Sequence, residues 1–200
     1  MSASVVRNGH HVPGVRGWVR KQLLRSLARV LEWTARLQRR SLDVSRVNRQ
    51  LLVGGQVGAS GYARLRAMGI THIIDLRAER SDDAEALAAL GIELLHLPAP
   101  DRHPPPVSAL LQGVEWALPR LANGAQVFCH CEHGVGRGPL MAVAILVAQG
   151  ADPTEAYRSV RRVRWQATLN DRQIQGLMRF VDALRAREAV HTTSHRGDET

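Results

Sequence analysis

Short apolar runs alternate with amphipathic stretches from residue 51 to residue 187. The apolar runs are short, as in strands buried on both faces, and lie at residues 51–53, 70–76, 92–97 and 125–130. The other stretches have helical spacing and lie at residues 60–68, 82–90, 107–121, 139–149, 153–162 and 170–187. This alternation predicts an α/β fold with a central, mostly parallel sheet of four to five strands flanked by helices.

A separate amphipathic pattern precedes the first apolar run. Apolar residues such as Val19, Leu23 and Leu27 fall on one side of a helix, and basic residues fall on the opposite side. We therefore expect an N-terminal basic amphipathic helix within residues 1–42. A folded domain at residues 43–188 and a disordered polar tail at residues 189–200 should follow it.

The net charge of +9 belongs entirely to the N-terminal quarter. Residues 1–50 contain 11 of the 27 basic residues and 2 of the 18 acidic residues, so the remainder is electrically balanced. Three roles stay open for this basic N-terminal segment: packing on the folded domain, peripheral contact with an anionic membrane, and nucleic-acid binding or organelle targeting. Aromatic residues make up only 4% of the chain, so we expect no specific nucleic-acid partner.

Hydrophobic runs and cysteine content limit the class of protein. The longest apolar run, residues 139–148, is about half as long as a membrane-spanning helix requires. The two cysteines, Cys129 and Cys131, are separated by one residue and cannot form the disulfide framework of a small secreted domain. We therefore expect a cytoplasmic protein, with peripheral membrane association left open.

The segment from residue 127 to residue 139 combines the residue types of an anion-binding catalytic loop. An apolar strand ends at His130, a glycine-containing loop follows, and Pro139 suits the first turn of a helix. Backbone N–H groups in such a loop and the positive helix N-terminus bind phosphate. Cys131 opens the loop, and Arg137 closes it. We expect a thiolate at Cys131, below an oxyanion that the guanidinium holds.

The segment His130-Cys131-Glu132-His133-Gly134-Val135-Gly136-Arg137 resembles the H-C-x5-R loop of the cysteine-dependent protein tyrosine phosphatase superfamily. The length and order of the chain are most similar to the dual-specificity branch, and the resemblance covers roughly Asp43 to Arg187. It implies a phosphatase-like fold and a phosphate monoester hydrolase that acts through a cysteinyl-phosphate. It also implies that neither a metal nor an organic cofactor is needed.

The resemblance assigns roles to individual residues. Cys131 is the nucleophile, Arg137 binds phosphate, and Asp101, in a proline-rich loop, is the general acid and then the base. His130 supports the nucleophile, and Asn170, with Gln173 as a competing candidate, supports the loop or orients water. The expected substrate-binding residues are those of the loop: Glu132, His133, Gly134, Val135, Gly136, Arg137 and Gly138.

Gly138 departs from the pattern of the superfamily. In most similar enzymes serine or threonine follows the arginine, and its hydroxyl stabilises the departing thiolate. Because Gly138 has no hydroxyl, we expect slow dephosphorylation of Cys131 relative to its phosphorylation. A phosphate-binding pseudophosphatase is therefore one alternative function.

The resemblance implies that the substrate is a protein carrying phosphotyrosine or phosphoserine/threonine. A phospholipid or phosphoinositide phosphatase at a membrane surface is the other alternative, and the basic N-terminal segment suggests it. Glu132 argues against that alternative, because enzymes specialised for inositol phosphates tend to carry basic residues in this loop.

Several of these residues also have simpler interpretations. The sequence CHCEH, at residues 129–133, offers several zinc ligands, but structural zinc sites need a second ligand pair from elsewhere in the chain. Asp75 and Arg77 are expected to be structural partners. The basic residues Arg161, Arg162 and Arg164 are expected to form a solvated face.

Overall fold

The computed structural model describes residue 26 and residues 42–196, with side chains as far as residue 189. The predicted amphipathic helix within residues 1–42 therefore lies outside the described residues, apart from positions 26 and 42. The unit that begins at Asp43 is compact and contains every element described below.

A five-stranded sheet forms the centre of this unit. Its strands are β1 (Val44–Arg46), β2 (Leu51–Gly54), β3 (His72–Arg77), β4 (Glu93–Ala99) and β5 (Val127–His130), in the order β1-β2-β5-β3-β4. Strand β1 pairs antiparallel with β2, and the other pairs are parallel. The predicted mostly parallel sheet is confirmed. Strand β1 was not predicted, because three residues without an apolar run carry no strand pattern.

Six helices are described beside the sheet within residues 42–196. They are α1 (Ala59–Ala67), α2 (Ala84–Ala88), α3 (Val107–Ala122), α4 (Arg137–Ala148), α5 (Pro153–Val163) and α6 (Asp171–Arg196). Helix α4 begins two residues before its predicted start at Pro139, because Gly136 already accepts a helical hydrogen bond from Leu140. Arg137 therefore lies in the first helical turn rather than in the loop.

Helix α6 continues well past Arg187, its predicted end. No glycine or proline interrupts the sequence between Leu177 and Arg196, so nothing local terminates the helix. Residues 189–196, predicted to belong to a disordered tail, are helical, and residues 197–200 lie outside the described residues.

The apolar run at residues 139–148 forms the central helix of the core. Helix α4 packs on strands β2, β3 and β5 and against helices α3, α5 and α6, so nearly all of its residues are buried. Ile74 and Phe128 from the sheet and Phe180 from α6 are fully buried. This enclosure fixes the N-terminus of α4 against the end of β5, where the candidate site lies.

We expect truncation of the core at Phe180 to destabilise the domain. Phe180→Ala should lower the free energy of unfolding by about 3–5 kcal/mol, because it leaves a cavity beside α4. Met178→Ala is the matched control, since Met178 lies on the same helix and is 45% exposed. This substitution should lower the free energy of unfolding by only about 0.5 kcal/mol. Urea denaturation measures both changes, and equal losses would contradict this description of the core.

Candidate active site

The loop from residue 131 to residue 136 connects β5 to α4. Cys131 follows β5 directly and is 3% exposed. Gly134 adopts a left-handed conformation, with φ +61°, and a Cβ there would collide with the carbonyl group of Gly54 at the end of β2. Only glycine satisfies both conditions, so this position lets the loop turn tightly around the cysteine.

The buried guanidinium of Arg164 braces the loop from outside. It donates to the carbonyl oxygens of Gly134 and His133 and makes two 2.7 Å contacts with the carboxylate of Asp43. Its hydrogen bonds lower the pKa of Asp43. The predicted solvated face is therefore wrong for Arg164, although its neighbours Arg161 and Arg162 are exposed.

Arg137 is held in one orientation by partners from the segment after β3 and from the end of β4. Its two terminal nitrogens each lie 2.8 Å from an oxygen of Glu79, and Nη1 also donates to the carbonyl oxygen of Ala99 at 2.9 Å. The hydrogen bonds from Arg137 lower the pKa of Glu79 to about 2, and the same contact raises the pKa of Arg137. Glu79 was not predicted as a site residue.

Asp101 lies across the pocket on the loop that follows β4. Its Oδ1 atom is 3.1 Å from Nη2 of Arg137, and its side chain is 64% exposed. Strands β4 and β5 are both parallel to β3, which lies between them, so their carboxyl ends bring the predicted acid and the predicted phosphate-binding residue to the same edge of the sheet.

The start of α6 holds the loop that carries Asp101. Asn170 and Gln173 exchange side-chain and backbone hydrogen bonds in a capping box at the start of the helix. Asn170 also donates from Nδ2 to the carbonyl oxygen of Arg102 at 2.9 Å, and Gln173 donates to that of His103 at 3.5 Å. The two candidates for the supporting role therefore act together rather than as alternatives.

These groups surround a pocket of about 390 Å³. Most of the residues that line it were predicted, namely Cys131, His133, Val135, Gly136, Arg137, Asp101 and Asn170. Gln173, the competing candidate for the supporting role, also lines the pocket, and Arg102 and Thr168, which were not predicted, complete the lining. The side chain of Glu132 instead turns toward Arg80 and Arg77.

Comparisons with known proteins find similar phosphatases. Residues 53–151 match the model of a protein family described as "Polymorphic toxin system, DSP-PTPase phosphatase". The chain is 32% identical over 101 residues to the mouse (Mus musculus) protein named phosphatidylglycerophosphatase and protein-tyrosine phosphatase 1. That match covers 50% of this chain and 52% of the mouse protein, so the chain spans about half the length of this relative.

Other similar proteins match this chain over a larger share of their own length. A probable protein tyrosine phosphatase type IVA A from Dictyostelium discoideum is 24% identical over 118 residues, which are 58% of this chain and 70% of that protein. The solved structure of Tk-PTP in the active form is 25% identical with a TM-score of 0.65, covering 70% of this chain and 97% of that one. The structure of PTPMT1 is also 25% identical, with a TM-score of 0.68, covering 73% and 98%.

The chain belongs to the cysteine-dependent protein tyrosine phosphatase superfamily. It is dual-specificity-like, and the predicted resemblance and fold class are confirmed. The H-C-x5-R sequence runs from the last residue of β5 to the first residue of α4.

Behind the superfamily loop lies a buried network of charged side chains. Arg77 contacts the carboxylates of Asp75 at 2.8 Å and Asp82 at 2.6 Å, and Nε2 of His130 lies 2.8 Å from Asp82. Burial would raise the pKa of Asp82, but the hydrogen bonds and charges of His130 and Arg77 lower it. The predicted pairing of Asp75 with Arg77 is confirmed, and Asp82 is an additional partner.

This network also argues against the alternative of a zinc site at residues 129–133. Nε2 of His130 faces Asp82, and Glu132 faces Arg80, so these potential ligands do not converge on Cys131. Cys129 is fully buried, and burial raises the pKa of its thiol, as expected for an inert core cysteine.

Gly138, where the sequence departs from the superfamily pattern, has a packing role. A Cβ at this position would lie 3.0 Å from Cα of His130 and 3.2 Å from the carbonyl oxygen of Cys129. Glycine therefore allows the first turn of α4 to approach the end of β5 closely. Sequence reasoning noticed only the missing hydroxyl, because closeness of helix and strand has no sequence signal.

We expect the ion pair between Glu79 and Arg137 to be visible in a titration. In NMR spectra of the wild-type protein, the Glu79 carboxylate should titrate near pH 2, and Arg137→Ala should move this titration toward the ordinary value of about 4.5. Because the folded pKa is lowered, the pair stabilises the fold above the unfolded pKa, and this contribution is lost as pH falls toward 2.

Arg80→Ala is the control for this titration, because Arg80 pairs with Glu132 and not with Glu79. It should leave the titration of Glu79 in place. Titration of Glu79 at its ordinary value in the wild-type protein would show that the pair does not form in solution.

Proposed function

We propose that the chain hydrolyses phosphate monoesters through a cysteinyl-phosphate intermediate. One observation carries this proposal: Cys131, Arg137 and Asp101 line one pocket, with the guanidinium fixed between the loop and the acid. In this reaction class a thiolate, an oxyanion-binding loop and a positioned acid supply nucleophile, charge stabilisation and proton transfer.

In the first step the thiolate of Cys131 attacks phosphorus while the bond to the leaving oxygen breaks. Asp101 donates its proton to that oxygen, so the product leaves as a neutral alcohol. Asp101, now ionised, then takes a proton from a water molecule that attacks the cysteinyl-phosphate. This second step releases inorganic phosphate and restores the thiolate.

The hydrogen bonds of Arg137 indicate where phosphate binds. Nη1 donates hydrogen bonds to the carboxylate of Glu79 and to the carbonyl oxygen of Ala99, whereas Nη2 also faces Asp101. Nε makes no hydrogen bond with any described residue. A phosphate that takes the N–H groups of Nε and Nη2 displaces Asp101 from the guanidinium and frees it to face the leaving oxygen.

Substitution of the nucleophile and of the acid tests this function. Cys131→Ser should abolish turnover of 4-nitrophenyl phosphate, and Asp101→Asn should lower kcat for a poor leaving group about a hundredfold or more. Asp171→Asn is a control, because Asp171 is an exposed acid in the first turn of α6. Turnover that survives Cys131→Ser would refute the cysteinyl-phosphate.

We also propose that the missing hydroxyl at Gly138 slows hydrolysis of the intermediate. A rapid-mix experiment should show a burst of product in the wild-type enzyme, and Gly138→Ser should speed the steady state about tenfold relative to Gly138→Ala. Both variants carry the same Cβ against β5, so both should lose about 1–3 kcal/mol of stability, and their difference isolates the hydroxyl. Equal rates in the two variants would contradict this role.

A phosphorylated protein is the substrate we favour, and a phospholipid is a second candidate. The mouse relative's name includes both phosphatidylglycerophosphatase and protein-tyrosine phosphatase activity, which keeps the lipid in consideration. Glu132 places no basic side chain in the loop, and its carboxylate pairs with Arg80, which disfavours highly charged inositol phosphates. Release of phosphate from phosphopeptides and from anionic phospholipid vesicles, compared in one assay, distinguishes the candidates.

No helix among the described residues has the length and apolar character needed to cross a bilayer. We propose a cytoplasmic location, and peripheral contact with an anionic membrane would come from the N-terminal basic segment. Binding of the full chain and of a chain lacking residues 1–42 to anionic vesicles tests that contact.

A further inference from the structure

Arg102 has an unusual backbone conformation at the mouth of the pocket. Its φ is +60°, the one left-handed value outside glycine among the described residues. The side-chain amide of Asn170 fixes this conformation by donating to the Arg102 carbonyl oxygen. Glycine or asparagine adopts such a conformation more easily than arginine, and strained residues of this kind cluster at functional sites.

The guanidinium of Arg102 is available to a ligand. The side chain is exposed and lines the pocket, and it makes no hydrogen bond or ion pair with any described residue. Most arginines near the site behave differently: Arg137 and Arg164 are each held by a carboxylate. Arg102 is thus an uncommitted positive charge in a pocket built for anions.

Charge is divided between the two sides of the pocket entrance. Glu79 and Glu132 lie beside His133 on one side. On the other side, Arg102 is followed by His103, whose Nε2 lies 3.1 Å from Nη1 of Arg172. Glu79 is already paired with Arg137, and Glu132 with Arg80, whereas the guanidinium of Arg102 has no such partner among the described residues. A second negative charge on a substrate is therefore attracted to the side of Arg102.

We propose that Arg102 is a specificity residue that binds a second anionic group on the leaving-group part of the substrate. The proposal rests on the function given above, because Asp101 protonates the leaving oxygen and Arg102 follows it directly in the chain. The guanidinium consequently flanks the leaving group and not the transferred phosphoryl group. The substrate class is a phosphomonoester whose alcohol carries a nearby carboxylate or phosphodiester.

Matched substrates test this specificity. One pair is N-acetyl-phosphotyrosine and its amide, which differ by one carboxylate, and the other is a glycerophosphodiester bearing a terminal phosphate and glycerol phosphate itself. In the wild-type enzyme, kcat/KM should be about tenfold higher for the more anionic member of at least one pair. The responding pair distinguishes a carboxylate from a phosphodiester.

The variants separate charge from backbone strain. In Arg102→Gln and Arg102→Gly, the ratio of kcat/KM between the more and the less anionic substrate should fall close to one. Arg102→Lys should keep part of this preference. Glycine adopts positive φ freely, so Arg102→Gly preserves the turn and is expected to melt no lower than the wild type. Arg185→Gln, an exposed arginine on α6, is the charge-matched control and should keep the full preference.

Three results would overturn the proposal: no preference in either pair, equal preference in the wild type and Arg102→Gln, or equal loss in Arg185→Gln. Binding of the same pairs to Cys131→Ser, measured by calorimetry, gives a readout that does not need turnover. If no substrate is hydrolysed but Cys131→Ser still binds the more anionic member through Arg102, the proposed catalysis fails and the specificity stands.

Discussion

The arrangement of the site depends on one buried cation, the guanidinium of Arg137. Its orientation is set by the carboxylate of Glu79 after β3 and by a carbonyl group at the end of β4, while its backbone begins α4. Burial of a charge is costly unless it is paired and hydrogen-bonded, so the partners must be in place before substrate arrives. The guanidinium is therefore held in its orientation before any ligand binds.

A second set of charges keeps the loop itself in place. Arg164 ties two loop carbonyl groups to Asp43 near β1, and Gly134 lies against the backbone of β2. Behind the loop, His130 is connected through Asp82 to Arg77. Such ion pairs contribute little net stability compared with apolar packing. Their effect here is positional, because they hold the backbone of the loop in place.

The acid and the loop are coupled through the start of α6. Asn170 and Gln173 cap that helix, hold the loop carrying Asp101, and lie beside Gly136, where a Cβ would come within 2.5 Å of the Gln173 amide. The final helix among the described residues therefore helps to set the position of Asp101 relative to the loop that carries Cys131. A packing element far from the loop in sequence thus takes part in the geometry of the site.

The alternation of apolar runs and helical stretches by itself determined the α/β class, the order of its elements and the loop between β5 and α4. These features are local, since a strand, a turn and a helix are encoded by neighbouring residues. Tertiary structure alone decided that Glu79 holds Arg137, that Arg164 is buried, and that glycine at position 138 lets α4 approach β5 closely. Glu79 and Arg137 are 58 residues apart, and Arg164 and Gly134 are 30 apart. Which distant side chains meet depends on which strands become neighbours, and no local pattern specifies that.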